Sequence, residues 1–265
     1  MAVQPPPGRV DDVFAACVHG FGATRFSPES AEREKTVWEL DRTWVVEDGD
    51  EYVATATSYA FEMTVPGGAR VPAAGVAQVA VLPTHRRRGL LRDVLGAVLD
   101  QAAALGDHYA ILNASDTGIY GRFGFGQGDR VLRIELDTDH VELLVDPAPG
   151  RIRLVDAHEA HALVADLYER FGRERPGAVG RSAAWWELVL HDEASWRGIG
   201  NPFVAVHEDD AGRPDGYAIY RSHERWDRGH ANGTLEVREL EAASTDVEAA
   251  LWRLFRDIDL RTRVI

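Results

Sequence analysis

The sequence predicts an α/β protein with two tandem units, each containing a mixed β-sheet with helices packed on it. At 265 residues, the chain exceeds one typical domain and suits two domains of modest size. The succession of helices and strand-like runs in residues 1–148 also recurs, in degenerate form, in residues 149–265. The stretch DPAPG at 146–150 has the composition of a linker and marks the predicted boundary.

The first half is predicted to begin with two helices and to continue as an antiparallel meander. Residues 10–21 have helical character, and the next helix is expected from Ser27, where serine, proline and glutamate favour a helix N-terminus. Three runs rich in β-branched and aromatic residues follow, TWVVED, EYVATATSYAFEMTV and GVAQVAVL. The turn PGG at 66–68 separates the second run from the third.

The third run leads directly into RRRGLLRDVLGAVLDQAAAL, whose apolar residues recur at helical spacing. We then expect a buried strand at YAILNAS (109–115), a short helix at SDTGIYGRFG and a closing strand at RVLRIELD. The second half repeats this order. Its helices are expected at AHEAHALVADLYERF, near Ser182 and at STDVEAALWRLFRDID, and its strands at PFVAVHED, YAIYRSHE and TLEVRELEA.

Composition disfavours several classes of function. The 43 acidic and 29 basic residues give a net charge of −14, which opposes nonspecific nucleic-acid binding and favours cationic ligands such as amines. No run approaches the ~18 uninterrupted apolar residues of a membrane helix, and the N-terminus lacks the pattern of a secretory signal. Cys17 is the single cysteine, so an intrachain disulfide and a thiolate metal cluster are excluded. We expect a cytoplasmic protein without a metal site.

The junction at residues 79–91 carries the clearest chemical signal. A strand feeds a helix whose first N–H groups have no intrahelical partner, and such a helix start binds anions. Gly89 lets the backbone approach an anion, and Arg86, Arg87 and Arg88 add charge. Cations at this end oppose the helix dipole by about 0.3 to 1 kcal/mol each, so an anionic ligand is expected to compensate. Because neither a Walker lysine nor a GxGxxG pattern is present, a pyrophosphate of another kind is predicted.

These residues resemble a known family. The string RRRGLL at 86–91 resembles motif A of the GNAT acetyltransferases, R/Q-x-x-G-x-G/A, with Leu91 in place of the final small residue. The longer strings VAVLPTHRRRGLL and NASDTGIYGRFGFG resemble the Eis (enhanced intracellular survival) branch, in which that departure is usual. The resemblance covers most of residues 10–265. It implies tandem GNAT folds, with an acetyl-CoA-binding domain at 1–148 and a degenerate second domain at 149–265.

The resemblance also implies roles for individual residues. Tyr120 matches the tyrosine that protonates the departing thiolate of coenzyme A, and a phenol with a pKa of about 10 can act as such an acid. Taken alone, a tyrosine between Gly118 and Gly121 would more often be a packing residue. Phe26 and Trp38 are expected to wall the acceptor pocket. The implied cofactor-binding residues are Val79, Ala80, Val81, Arg86, Arg87, Arg88, Gly89, Leu90, Leu91 and Ser115.

The substrate amine must lose a proton before it attacks a thioester, so a base is required. The resemblance attributes this role to the C-terminal carboxylate of a longer chain that ends in a sterol-carrier-like domain. Here the sequence stops at LRTRVI, where a further strand of the second unit is expected to start. Either the chain is a fragment, which is the interpretation that we favour, or another base acts. Internal candidates are Glu62, Asp116, His19 and His85, and none is preferred.

The second half is not expected to bind coenzyme A. Its strand-to-helix junction at 239–248 has no glycine and no arginine. Instead, Thr245 and Glu248 form a capping-box pattern, which would satisfy the helix N–H groups and place carboxylates where a phosphate would sit. Trp185, Trp186 and Trp196 are expected to be buried packing residues more than pocket residues.

Three functions remain open. The first is an acetyl-CoA-dependent N-acetyltransferase acting on an amine, such as an aminoglycoside, a lysine side chain or a polyamine. The second is a coenzyme A-binding regulatory or scaffold protein without turnover, and the third is a folded fragment that binds nothing. The resemblance implies a homo-oligomer, a hexamer built from trimers.

Overall fold

The computed structural model describes residues 1–22, 28–191 and 202–265. Contacts within the chain divide it into two compact units, 1–129 with 175–184 and 130–174 with 185–265. This division differs from the boundary expected at the linker-like stretch 146–150, and the domain limits 1–148 and 149–265 stay a prediction. Phe26 and Trp196 lie outside the described residues.

The first unit has a four-stranded mixed sheet in the order β1-β2-β3-β4. The pairs β1-β2 and β2-β3 are antiparallel, whereas β4 runs parallel to β3. The antiparallel meander expected from the sequence is therefore confirmed. The elements are α1 (Val10–Phe21), α2 (Pro28–Lys35), β1 (Thr43–Asp48), β2 (Glu51–Thr64), β3 (Arg70–Val81), α3 (Leu90–Leu105), β4 (Tyr109–Ile111) and α4 (Thr117–Tyr120).

Two strand predictions in the first half were wrong in extent. The buried strand expected at 109–115 is the three-residue β4, and the side chain of Tyr109 is 51% exposed. The closing strand RVLRIELD contributes only β5 (Leu136–Asp137), which belongs to the sheet of the second unit. Upstream of it, Val131 and Leu132 are 92% and 84% exposed. The physical reason is that a three-residue β4 offers little backbone edge on which a further strand could pair.

The second unit has a six-stranded sheet in the order β5-β12-β11-β8-β7-β6 and a small β9-β10 hairpin. Strand β6 was missed, because RIRLV directly follows the linker-like residues and is short. The expected strand at LRTRVI is present as β12, parallel to β11. The elements are β6 (Arg151–Val155), α5 (Ala157–Gly172), α6 (Ala183–Leu190), β7 (Phe203–Glu208), β8 (Pro214–His223), β9 (Trp226–Asp227), β10 (His230–Ala231), β11 (Gly233–Ala242), α7 (Thr245–Asp257) and β12 (Arg261–Val264).

Each unit buries its own core between helices and sheet. In the first unit, one buried cluster joins β1, β2 and β3 to Val94, Leu95 and Val98 of α3. In the second unit, one cluster packs α5 and α6 against β7 and β8, and another packs α7 against β8 and β11. Among the residues that the structure describes, no helix is long and apolar enough to span a membrane.

The capping box predicted for the second unit does not form. Helix α7 begins after Ser244, whose side chain donates to Asp246 and caps no backbone N–H. The Glu248 carboxylate accepts a hydrogen bond from Nε1 of Trp252 at 3.2 Å, so it does not reach back to the helix start. The helix starts one residue earlier than the capping box requires, because the capping position is Ser244 and Thr245 is already the first residue of α7.

Candidate active site

The strand β3 and the helix α3 meet at a loop with an unusual backbone. After β3, a 3-10 turn at Pro83–His85 leads to Gly89, which precedes α3 with φ 86°. Arg87 also has a positive φ of 64°, so two of the four residues at 86–89 are left-handed. For the N–H groups of Leu90 and Leu91, no acceptor is found in the described part of the chain. The helix start therefore presents free donors.

The three arginines of this loop are exposed and differ in their contacts. Nη2 of Arg86 donates to the carbonyl oxygen of Gly20 at 3.3 Å, near the C-terminus of α1. Within the described ranges, neither Arg87 nor Arg88 has a hydrogen bond or an ion pair. Their charges are thus available to an external anion, next to the free N–H groups of α3.

A β-bulge at Gln78 sets which way the end of β3 faces. Thr57 pairs with Ala77 and Thr55 pairs with Ala80, so two residues of β3 oppose one residue of β2. The extra residue reverses the alternation of side chains. Val79 and Val81 pack toward the α3 cluster, whereas Ala80 lies against Gly20 of α1.

Beyond Gly75, one edge of β3 is open. The parallel pairing of β3 with β4 covers only residues 73–75, which face residues 109–111. Among the described residues, no strand continues along residues 76–81 on that side. The open edge presents backbone groups with which an extended amide-containing ligand can pair.

Tyr120 lies at the end of α4, partly buried in the same apolar cluster as Val79 and Val81. Its ring makes an edge-on contact with Phe125, with centroids 5.9 Å apart. The Asp116 carboxylate accepts a hydrogen bond from the N–H of Gly118 at 2.9 Å and so caps the helix. Burial, and secondly the charge of Asp116, raise the pKa of Tyr120. The phenol therefore stays protonated at neutral pH.

The structure thus brings five of the predicted site residues together. Val79, Val81, Leu90, Leu91 and Tyr120 all pack on one cluster of the first unit. Ser115 instead lies exposed in the loop before α4, outside that cluster.

The four candidate bases have different surroundings. Nε2 of His85 lies 3.0 Å from an oxygen of Asp48, and its Nδ1 lies 2.8 Å from Oγ1 of Thr84. Asp116 is engaged as the helix cap. Glu62 pairs with Pro72, six residues before Gln78 and so about 20 Å along the strand. His19 is exposed on α1, one residue before the glycine that packs on Ala80.

The aromatic residues proposed for the acceptor pocket are buried where the structure describes them. Trp38 is 8% exposed, and its ring lies 5.7 Å from that of Phe14. Its Nε1 has no hydrogen-bond partner in the described part of the chain. Trp186 packs edge-on against Tyr168 at 5.4 Å, so the expectation of packing is confirmed for this tryptophan.

Sequence reasoning missed the group around Gln78. Its side chain accepts a hydrogen bond from Cys17 and donates one to Tyr59, and both partners are buried. Burial raises the pKa of the Cys17 thiol to about 12. The available signal was a lone glutamine within the otherwise apolar run GVAQVAVL. No group of three or more His, Cys, Asp or Glu residues in the described ranges is arranged to hold a metal ion.

Comparison with known proteins decides the family. A family model described as an acetyltransferase (GNAT) domain matches residues 6–128, and another with the same description matches residues 177–265. An uncharacterized N-acetyltransferase of Streptomyces avermitilis is 38% identical over 253 residues, which are 95% of this chain and 62% of the relative. The chain belongs to the GNAT acetyltransferases. The predicted tandem arrangement of two GNAT folds is confirmed.

This GNAT chain is similar to the Eis branch in particular. N-acetyltransferase Eis of Mycobacterium tuberculosis is 36% identical over 248 residues, covering 89% of this chain and 59% of that protein. The crystal structure of Eis1 from Mycobacterium abscessus matches all of this chain and 65% of that chain, with a TM-score of 0.76 and 29% identity. The chain spans about three fifths of the length of these curated relatives.

Proposed function

We propose that this GNAT chain transfers an acetyl group from acetyl-CoA to a substrate amine. The observation that carries the proposal is the start of α3, where free N–H groups lie beside Arg87 and Arg88. A Cβ built on Gly89 meets no atom within 4 Å, so an anion has room there. The pyrophosphate of coenzyme A matches both the charge and the donors of this loop.

The open edge of β3 supports a place for the rest of the cofactor. Pantetheine contains two amides in an extended chain, and residues 76–81 present unpaired backbone groups beside the loop. We assign the amides to Val79 and Val81. Because these valines pack on the same cluster as Tyr120, a thioester at the end of the pantetheine would lie near the phenol.

Direct transfer follows from this arrangement. The neutral amine attacks the thioester carbonyl, a C–N bond forms, and the tetrahedral intermediate collapses with loss of the C–S bond. The phenol of Tyr120 donates its proton to the departing sulfur, and coenzyme A leaves as the thiol. Burial raises the pKa of Tyr120, so the phenol holds this proton at neutral pH. The ammonium proton of the substrate is released to solvent before the attack. As the amide forms, the attacking nitrogen loses one further proton and a proton from solvent restores the phenol of Tyr120, so the net products are the acetylated amine and the coenzyme A thiol.

The acceptor class is proposed on two grounds. The net charge of −14 attracts cationic amines, and the chain is similar to relatives that are named N-acetyltransferases. We propose an aminoglycoside, a lysine side chain or a polyamine as the acceptor, a cytoplasmic location, and a homo-oligomer as the resemblance to the Eis branch implies.

Turnover tests the proposal. The wild-type protein is incubated with acetyl-CoA and a panel of aminoglycosides, polyamines and lysine peptides, and release of the coenzyme A thiol is followed. Tyr120→Phe is expected to slow release by about 10² to 10⁴-fold, because the general acid is lost. Tyr109→Phe, which alters an exposed tyrosine of β4, serves as the matched control and is expected to retain activity.

The outcomes separate the remaining functions. Binding of acetyl-CoA without thiol release from any amine would favour a coenzyme A-binding regulatory protein. Equal rates for wild type and Tyr120→Phe would contradict the role assigned to the tyrosine.

A further inference from the structure

The bulge in β3 contains Gln78, whose backbone conformation is unfavourable for a residue with a Cβ. Gln78 has a φ of 53°, in the left-handed region that glycine occupies readily and side chains with a Cβ rarely adopt. Such a conformation persists only where the surroundings enforce it. The position is immediately before Val79, where the open edge of β3 meets the proposed pantetheine site.

Three buried groups hold Gln78 in place. The Cys17 thiol of α1 donates to Oε1 at 3.0 Å, and Nε2 donates to the hydroxyl oxygen of Tyr59 at 3.4 Å. Oγ1 of Thr55 donates to the backbone carbonyl oxygen of Gln78 at 2.8 Å. Cys17 and Tyr59 are each 3% exposed and Thr55 is 1% exposed. Both polar atoms of the side-chain amide and the backbone carbonyl are thus hydrogen-bonded to residues of α1 and β2. We refer to Gln78, Cys17, Tyr59 and Thr55 as the Gln78 clamp.

The clamp determines how the end of β3 faces the cofactor site. With the bulge, Gln78 points toward α1, and Val79 and Val81 face the cluster that contains Tyr120. Without the bulge, the alternation along β3 would shift by one residue, and Val79 and Val81 would turn to the opposite face. The amides along the open edge would be displaced in the same way.

We propose that Gln78 is a positioning residue for acetyl transfer, and that its clamp holds the bulge that aligns Val79–Val81 with acetyl-CoA. This inference rests on the proposed function. It assigns to Gln78 no contact with substrate or cofactor. The side chain acts through the backbone of β3, so a residue that maintains a positive φ without a clamp should replace it.

The test compares Gln78→Ala with Gln78→Gly. Alanine removes the clamp and disfavours the positive φ, whereas glycine removes the clamp and tolerates that φ. For Gln78→Ala, kcat/KM for acetyl-CoA is expected to fall by about 10²-fold, because small displacements of aligned groups have effects of this size. Gln78→Gly is expected to recover most of this loss. The KM for the amine should be unchanged in both variants.

Gln101→Ala is the matched control, and Cys17→Ala is a second probe. Gln101 also bridges two groups by its side chain, accepting from Nε1 of Trp44 and donating to the carbonyl oxygen of Asp41, away from β3. Its variant is expected to lower the melting temperature without changing kcat/KM. Cys17→Ala removes one donor of the clamp and should lower kcat/KM in the same direction as Gln78→Ala. It provides a readout if Gln78→Ala does not fold.

Each outcome either supports or overturns the positioning role of Gln78. Recovery by glycine, with normal kinetics for Gln101→Ala, supports the positioning role. If Gln78→Gly is as impaired as Gln78→Ala, a tolerated positive φ does not restore the alignment of Val79–Val81, and the proposal that Gln78 acts through the backbone of β3 is overturned. Wild-type kinetics in Gln78→Ala and Cys17→Ala also overturn it, while the proposed acetyl transfer stands. If the wild type neither binds nor uses acetyl-CoA, the proposed function fails and this inference fails with it.

Discussion

At the scale of single residues, the surroundings of Tyr120 decide its chemistry. The ring packs against Phe125, and the residue shares an apolar cluster with Val79 and Val81. Water is therefore partly excluded from the phenol, and loss of its proton is opposed first by burial and then by the charge of Asp116. A tyrosine in this state is a proton donor and not a base.

The raised pKa of Tyr120 predicts the alkaline limit of the reaction. Because the protonated phenol is the active form, kcat at saturating amine should not fall until the pH exceeds about 10, the ordinary tyrosine value. The measurement is kcat against pH for wild type and Tyr120→Phe. The alkaline fall should be missing in the variant. A wild-type profile that already falls between pH 7 and 9 would contradict the assignment.

The sequence suggests a shared role only for residues that a motif brings together. The arginines and Gly89 stand next to each other in the sequence, so joint binding of an anion can be proposed from the sequence alone. The role proposed for Gln78 depends on a register shift between β2 and β3 and on two hydrogen-bond partners, Cys17 and Tyr59, which lie 61 and 19 positions away in the sequence. Propensity assigns such a glutamine to an ordinary strand position, and only the paired strands reveal its left-handed backbone.

At the scale of elements, the junction of β3 and α3 depends on backbone shape as much as on charge. Gly89 has φ 86° just before α3, and the N–H groups of Leu90 and Leu91 have no acceptor in the part of the chain that the structure describes. Any other residue there would be strained, because side chains with a Cβ disfavour this φ.

Gly89→Ala tests the role of the junction, and Gly67→Ala is a control that introduces comparable backbone strain elsewhere. Gly67, in the turn between β2 and β3, has φ 97°, and a Cβ at either glycine meets no atom within 4 Å. Both Ala variants should therefore lose about 1 kcal/mol of unfolding free energy. Only Gly89→Ala should weaken acetyl-CoA binding, by about 10-fold, measured by calorimetry. Equal acetyl-CoA affinities in the two variants would show that the junction is not part of the cofactor site.

The lengths of elements were less predictable than their order. The meander, α1 and α3 follow periodic patterns and were placed correctly. The length of strand β4 was overestimated and β6 was missed. The composition of one segment does not show over how many residues a neighbouring strand pairs with it. RVLRIELD has the residues of a strand, yet pairing is a property of two segments, and only its last two residues find a partner.

At the scale of the whole molecule, the two units share a fold and differ at the strand-to-helix junction where we propose that the first unit binds coenzyme A. The first unit has Gly89 and the arginines just before its helix α3, whereas α7 of the second unit has Asp246 and Glu248 in its first turn. Hydrogen bonds from Ser244 and the backbone lower the pKa of Asp246, so this carboxylate is charged at neutral pH and opposes a phosphate. That the second junction does not bind coenzyme A stays a prediction, and the capping box offered as its cause was wrong.

Hydrogen exchange measured with and without acetyl-CoA locates the cofactor on the chain, because it requires no acceptor amine and reports on each junction separately. Slower exchange is expected at the amides of residues 79–81 and 86–91 when acetyl-CoA is present, with no change at residues 239–248. Protection confined to the second junction, or none in the first unit at saturating acetyl-CoA, would contradict the proposed cofactor site.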